Sequence, residues 1–205
     1  MKLASILVAL VITSLACSAA LGVEIVPSSY VAPTGDVGAY TYYDDTGSQL
    51  TDGLHGGPWS GEPGGGADDP YEWVAWESHA ATITFFFAQQ TTFTRVDVFT
   101  GRSDGPSMYI PRQITLAVGN SEETLSQCGV WNFDNSQYPD ASRCTLTLDV
   151  GGCTGSVAQI TLEPTKFWMF LDEVDFYGTP VPEPSSLLAL AGGIALLMGA
   201  RRRRA

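Results

Sequence analysis

Three stretches of this chain alternate between apolar and polar residues, and a period of two restricts them to strands with one buried face. Ala81–Phe87 puts Ile83, Phe85 and Phe87 on one side and threonines on the other. Gln113–Val118 repeats the pattern with Ile114, Leu116 and Val118, and Cys144–Val150 repeats it again. Strands of this kind need a second layer to cover the apolar face, which selects an antiparallel β-sandwich over an open sheet. Gly151-Gly152 is expected to turn a hairpin, with Val157–Leu162 as the returning strand. Phe93–Phe99 and Phe167–Tyr177 extend the series, and no amphipathic helix stands out between them. In the last stretch Phe167, Met169 and Leu171 share one phase, whereas Val174 and Phe176 share the other. A bulge at Asp172-Glu173 would keep both sets inward. A charged edge that deters aggregation explains the same two carboxylates without a bulge.

Charge divides the chain into three unlike pieces. The formal total is −12, but five of the ten basic residues are Lys2 and Arg201–Arg204, at the two ends. Between Val23 and Pro180 there are 21 acids against Arg95, Arg102, Arg112, Arg143 and Lys166, a net of −16. So acidic a surface excludes a nucleic-acid grip, which needs clustered cations, and it resists anionic lipid surfaces.

Met1-Lys2, an apolar run to Ala16 and the small residues before Leu21 have the layout of a secretory signal peptide cut after Ala20. At the other end Pro182-Glu183-Pro184 precedes Ser185-Ser186, 14 uncharged residues from Leu187 to Ala200, and four arginines. That apolar run reaches about 21 Å as a helix, and arginine snorkelling with the flanking serines brings it to a single membrane span. The positive-inside rule keeps the arginines cytoplasmic and exports everything before Pro182. Three pieces follow: residues 1–20, a domain over 21–180, and residues 181–205.

The Pro-Glu-Pro motif, single apolar helix and arginine cluster resemble the PEP-CTERM protein-sorting signal of Gram-negative bacteria. The resemblance rests on Pro182, Glu183, Pro184, Arg201, Arg202, Arg203 and Arg204. It implies an inner-membrane-anchored precursor with a periplasmic domain, cleavage by an exosortase near the motif, and a mature form at the cell surface or in an extracellular polysaccharide or biofilm matrix. A permanent anchor would use the same helix without requiring the prolines, which also suit an extended spacer.

A second resemblance spans about Tyr40 to Gly178. Leu50-Thr51-Asp52-Gly53, Trp73-Val74-Ala75-Trp76, Ile110-Pro111 ahead of Gln113–Val118, and Phe170–Gly178 follow the order of the galactose-binding-like (discoidin-like) jelly rolls. Where that family usually carries Ser-Xaa-Asp-Gly, this chain has Gly119-Asn120-Ser121-Glu122-Glu123. The resemblance implies an eight-stranded jelly roll, a structural Ca²⁺ shared by Asp52 and Glu173, and carbohydrate as ligand. Asp44 and Asp45 stand ready to assist. A plain turn capped by the Asp52 side chain explains Asp52-Gly53 equally simply.

Carbohydrate needs a flat aromatic for a sugar's C–H face and polar groups for its hydroxyls. Trp131, Asn132 and Tyr138 are expected on a long loop, with Trp59 on another and Arg112 as a forked donor. Loop aromatics of sandwiches also cap cores, and Trp73, Trp76 and Trp168 are read as core. After export Cys128, Cys144 and Cys153 remain. Cys128 and Cys144 flank the Trp131 segment and are expected to bridge its base, leaving Cys153 over.

Enzyme signals are poor. There are two histidines, His55 and His79, and no zinc pair, nucleophile elbow or phosphate loop. The expected function is a non-catalytic exported protein that binds glycan. A protein-binding matrix module and a polysaccharide hydrolase using an acidic pair are the alternatives.

Overall fold

The computed structural model describes residues 22–33, 42–44, 46–56 and 73–182. The expected leader, Trp59, Asp45 and the residues beyond Pro182 lie outside the described residues. The architecture is all-β and antiparallel, as the alternation requires. Among the described residues eight strands run in chain order: β1 Val23–Glu24, β2 Ser29–Val31, β3 Val74–Glu77, β4 Ala81–Arg102, β5 Gln113–Gly119, β6 Ser126–Asn132, β7 Ser142–Glu163 and β8 Trp168–Pro180.

Two 22-residue strands, β4 and β7, organise the molecule. They pair along nearly their whole lengths, from Ala81↔Leu162 to Arg102↔Ser142. The register shifts between Phe86 and Thr91 and between Phe93 and Arg95. Such irregularities let a strand turn a corner and pass from one layer to the other. The first half of β4 joins β2 and the last half of β7, which pairs β5, and β5 pairs β6. The second half of β4 pairs the first half of β7 and β8, and β8 takes β1 and β3 along its remaining edge.

Two expectations change here. Gly151-Gly152 does not close a hairpin: both glycines lie inside β7, and Gly152 has φ +91. β4 runs alongside, pairing Phe93 with Cys153 and Thr92 with Thr154, so the glycines fall at the corner of a continuous strand. Ala81–Phe87 and Phe93–Phe99 are likewise one strand. The corner is tight, since a Cβ on Gly155 would stand 2.2 Å from the Gly119 carbonyl oxygen.

Inward side chains of both layers form one core, with Ile83, Phe85, Ile114, Leu116, Leu146, Ile160, Leu171 and Phe176 all buried. Phe85, Phe87 and Phe93 pack around Phe176 at ring separations of 4.8, 5.1 and 5.8 Å, distances at which aromatic pairs attract edge to face. Trp76 belongs to this core. Trp73 joins Tyr42, Ala75, Met108 and Phe170 in a second cluster that Trp168 flanks.

The disulfide also differs from expectation. Cys128 bonds Cys153, and Cys144 is free and buried. Cys144 packs into the core near the start of β7, whereas Cys153 sits at the corner where β7 changes layers. With no hairpin to turn it away, Cys153 meets β6, the edge strand of the other layer. The bridge closes one open side of the sandwich.

Candidate functional site

β8 carries the bulge that its phase change requires. Phe99 pairs Glu173 and Thr100 pairs Leu171, which leaves Asp172 as the extra residue. Met169, Leu171, Val174 and Phe176 are all buried, so one inserted residue preserves the inward face on both sides. Phe167 lies before the strand and is 52% exposed. Residues 50–53 are laid against this bulge. The Val174 N–H donates to the Leu50 carbonyl at 3.0 Å, and the Gly53 N–H donates to Glu173 Oε2 at 3.3 Å.

Asp52 and Glu173, 121 positions apart in sequence, thereby line one cleft of about 160 Å³ with Glu24, Asp175, Val26 and Phe176. Burial, reinforced by Asp175 and Asp52, pushes the Glu173 carboxyl up to about 8. The donor set suits a hard cation: oxygen ligands, and a buried carboxylate whose charge is disfavoured without a counter-ion. Convergence is incomplete. Among the described residues no three His, Cys, Asp or Glu side chains meet around one point, and Asp52 Oδ1 already accepts the Leu54 N–H at 2.9 Å. Asp44 is engaged elsewhere, accepting the Tyr30 hydroxyl and the Gly47 N–H. Asp52 and Glu173 are therefore the two side chains that would hold an ion here.

Asp172 is fully buried; its carboxylate has no well-formed hydrogen bond, although the backbone N–H groups of Gly56 and Glu173 and its own N–H approach it. His55 Nδ1 and Arg143 Nη1 stand 3.9 and 4.0 Å from Oδ2. Burial pushes this carboxyl up to about 7, against the pull of Arg143. The His55 ring packs on Phe99 at 4.5 Å, and burial with Arg143 nearby holds its pKa below the ordinary value. Sequence inspection offered no signal for this trio, because it depends on which side of the bulge each residue faces. Asp172 and Glu173 are neighbours on one strand, the former sealed, so they do not flank an open groove as a glycosidase pair does.

Four of the expected sugar-binding residues, Arg112, Trp131, Asn132 and Tyr138, lie within or beside β5, β6 and the loop after β6, and Trp59 lies outside the described residues. Trp131 is not on a loop. It lies in β6 opposite Ile114, packs against the core, and covers Gly129, where a Cβ would stand 2.3 Å from its ring. Tyr138 also leans on the core, and its carbonyl accepts from Arg102. Asn132 is exposed and accepts from Gln113 Nε2 at 2.8 Å. The Arg112 side chain is 59% exposed; its carbonyl accepts the Phe133 N–H and its guanidinium reaches the Pro164 carbonyl and Glu163. Arg112 and Asn132 are thus brought together, while Trp131 and Tyr138 serve as their packed base.

Sequence reading missed the neighbouring loop. Lys166 Nζ lies 5.4 Å from the centre of the Tyr109 ring, and the Tyr109 N–H donates to the Trp168 carbonyl. Thr165 Oγ1 donates to the Ile110 carbonyl, which holds this loop to the Arg112 segment. Tyr109, Arg112, Asn132, Lys166 and exposed Phe167 therefore crown one end. Ile110-Pro111 was the available signal, as a rigid turn beside an aromatic.

Comparison with known proteins agrees with both the tail and the fold. The PEP-CTERM protein-sorting motif matches residues 180–204. No curated protein matches the chain. Among solved structures it is similar to the C-terminal domain of a chitobiase from Bacteroides fragilis, at 12% identity and TM-score 0.52, over 78% of this chain and 100% of that one. It is also similar to a Streptococcus pneumoniae fucose binding module, at 14% identity and TM-score 0.50, over 76% and 97%. A truncated AlyQ with CBM32 and alginate lyase domains aligns at 10% identity and TM-score 0.49 over 79% of this chain, which spans 34% of that one. The chain combines a jelly-roll sandwich of the carbohydrate-binding-module fold with a PEP-CTERM protein-sorting motif.

Proposed function

We propose that this is an exported, non-catalytic carbohydrate-binding protein, made with a leader over residues 1–20 and processed by an exosortase near Pro182–Pro184. Its domain, residues 21–180, acts at the cell surface or in an extracellular polysaccharide. One observation carries the reading: exposed Arg112 and Asn132 and half-buried Tyr109 share one loop-bearing end of a sandwich whose fold neighbours include a fucose binding module. Tyr109 offers a ring for a sugar face, and Arg112 and Asn132 offer donors and an acceptor for hydroxyls.

Retention of the mature protein on a panel of immobilised polysaccharides tests this. Arg112→Ala and Tyr109→Ala are each expected to weaken retention about tenfold, equivalent to about 1.4 kcal/mol. Trp131→Ala is a poorer probe, because that ring supports the core edge. Retention by no glycan, with or without Ca²⁺, would remove the binding role.

Calcium belongs to the same proposal, with Asp52 and Glu173 as the carboxylates that hold it. The ion would supply positive charge where the loop meets β8. A ligand at about 100 times its Kd stabilises by about 2.7 kcal/mol, or about 5–10 °C in Tm for a domain of this size. Adding CaCl₂ is expected to raise Tm by that much, and Glu173→Gln to abolish the gain. An unchanged Tm at millimolar Ca²⁺ counts against the ion.

A further inference from the structure

Both ends of the described sandwich leave it on the same side. Val23 pairs Gly178, at the start of β1 and near the end of β8, and the Val181 N–H donates to the Gln90 carbonyl at 2.8 Å. Gln90 lies at the corner of β4, and its Nε2 donates to Asn120 Oδ1 at 2.8 Å across to the loop after β5. Residues 87–92, 119–125 and 151–155 therefore form the end from which the chain departs toward the sorting motif. The loops 103–112, 133–141 and 164–167 lie at the other end.

Five residues, Pro182 to Ser186, separate the last backbone hydrogen bond at Val181 from the apolar run that begins at Leu187. Extended, five residues span about 17 Å. The sandwich is longer than that: Thr91 to Arg102 of β4 measures about 36 Å at ~3.3 Å per residue. The tether is too short to carry the loop end round to the bilayer.

We infer that in the membrane-anchored precursor the corner end, carrying Gln89, Gln90, Asn120 and Gly151-Gly152, faces the phospholipid headgroup layer, and the Tyr109–Arg112 end is presented away from it. This rests on reading Leu187–Ala200 as a membrane span. Charge does not set the direction, because the corner loops carry Glu122 and Glu123 while the other end carries Asp104, Asp134 and Asp140 together with Arg112 and Lys166. The direction rests on the exit point of the chain and the length of the tether.

The test uses the full chain reconstituted into phosphatidylcholine–phosphatidylglycerol vesicles that carry a headgroup-linked energy acceptor. Donor dyes are placed singly at Glu122 and at Ser136, both exposed, and a second pair at Gln89 and Gln137 guards against a local effect of either label. Transfer at Glu122 and Gln89 is expected to exceed that at Ser136 and Gln137 by about threefold or more. Equal or reversed efficiencies in chain that floats with the vesicles overturn the orientation while leaving the anchor intact. Chain that does not float removes the anchor itself, and the orientation with it.

Discussion

Asp172→Asn is expected to stabilise the ion-free protein by about 4 kcal/mol at pH 8 and to have little effect at pH 4. The wild-type carboxyl sits in the bulge of β8, fully buried, with its ordinary value of 3.8 pushed up to about 7 by burial. A folded-state pKa above the unfolded one means that the native protein holds the proton more tightly. That advantage is complete below about pH 4 and is lost as pH rises through 7. Glu173, raised from 4.5 to about 8, acts in the same direction, so wild-type stability in a chelator should fall steadily from pH 5 to pH 8. Asparagine keeps the shape and removes the charge. Arg143 and His55, which approach Oδ2 no nearer than 3.9 Å, are both partly exposed. This follows the general weakness of buried charge pairs relative to neutral replacements. Urea unfolding at the two pH values in EDTA measures it. A variant less stable than wild type at pH 8 would show that Asp172 functions as an ionised, paired carboxylate.

Cys153→Ser is expected to lower stability by about 3 kcal/mol, the chain-entropy value for a loop of this size. The Cys128–Cys153 bridge closes 25 positions of sequence and ties edge strand β6 to the corner of β7. Cys128→Ser should cost the same, and the double variant no more than either alone, because both remove one bond. Reduction of wild type should reproduce the loss. Cys144→Ser separates the two pairings: it leaves the bridge intact and exchanges a buried thiol for a hydroxyl. An equal loss in oxidised and reduced protein on substituting Cys153 would show that the effect is packing rather than the cross-link.

Local pattern carried the strands but not their continuity. Alternation placed Ile83, Ile114, Leu146 and their neighbours inward, and the phase change from Leu171 to Val174 put the bulge at Asp172-Glu173, of which Asp172 is the inserted residue. Gly151-Gly152 read as a turn because two glycines permit one. Whether a strand turns or bends is decided by its neighbour, and β4 lies alongside throughout. Proximity to the Trp131 segment favours Cys144 as the partner of Cys128, whereas the fold brings Cys153 beside β6. Short β1 and β2 carry too few residues to show a period. At the candidate sites, Asp52 and Glu173 were paired by resemblance and do share a cleft. Tyr109 and Lys166 escaped notice because loop residues 57 positions apart have no pattern linking them until the fold sets them together.

The loop end as the working surface is tested most directly by titrating isotope-labelled mature protein with the best-retained glycan and following backbone amide shifts. Saturable changes are expected at Tyr109–Gln113, Asn132–Tyr138 and Glu163–Phe167, with β8 beyond Asp172 unmoved. Changes confined to the acidic cleft at Asp52 and Glu173, or no saturable change with any glycan of the panel, would contradict it.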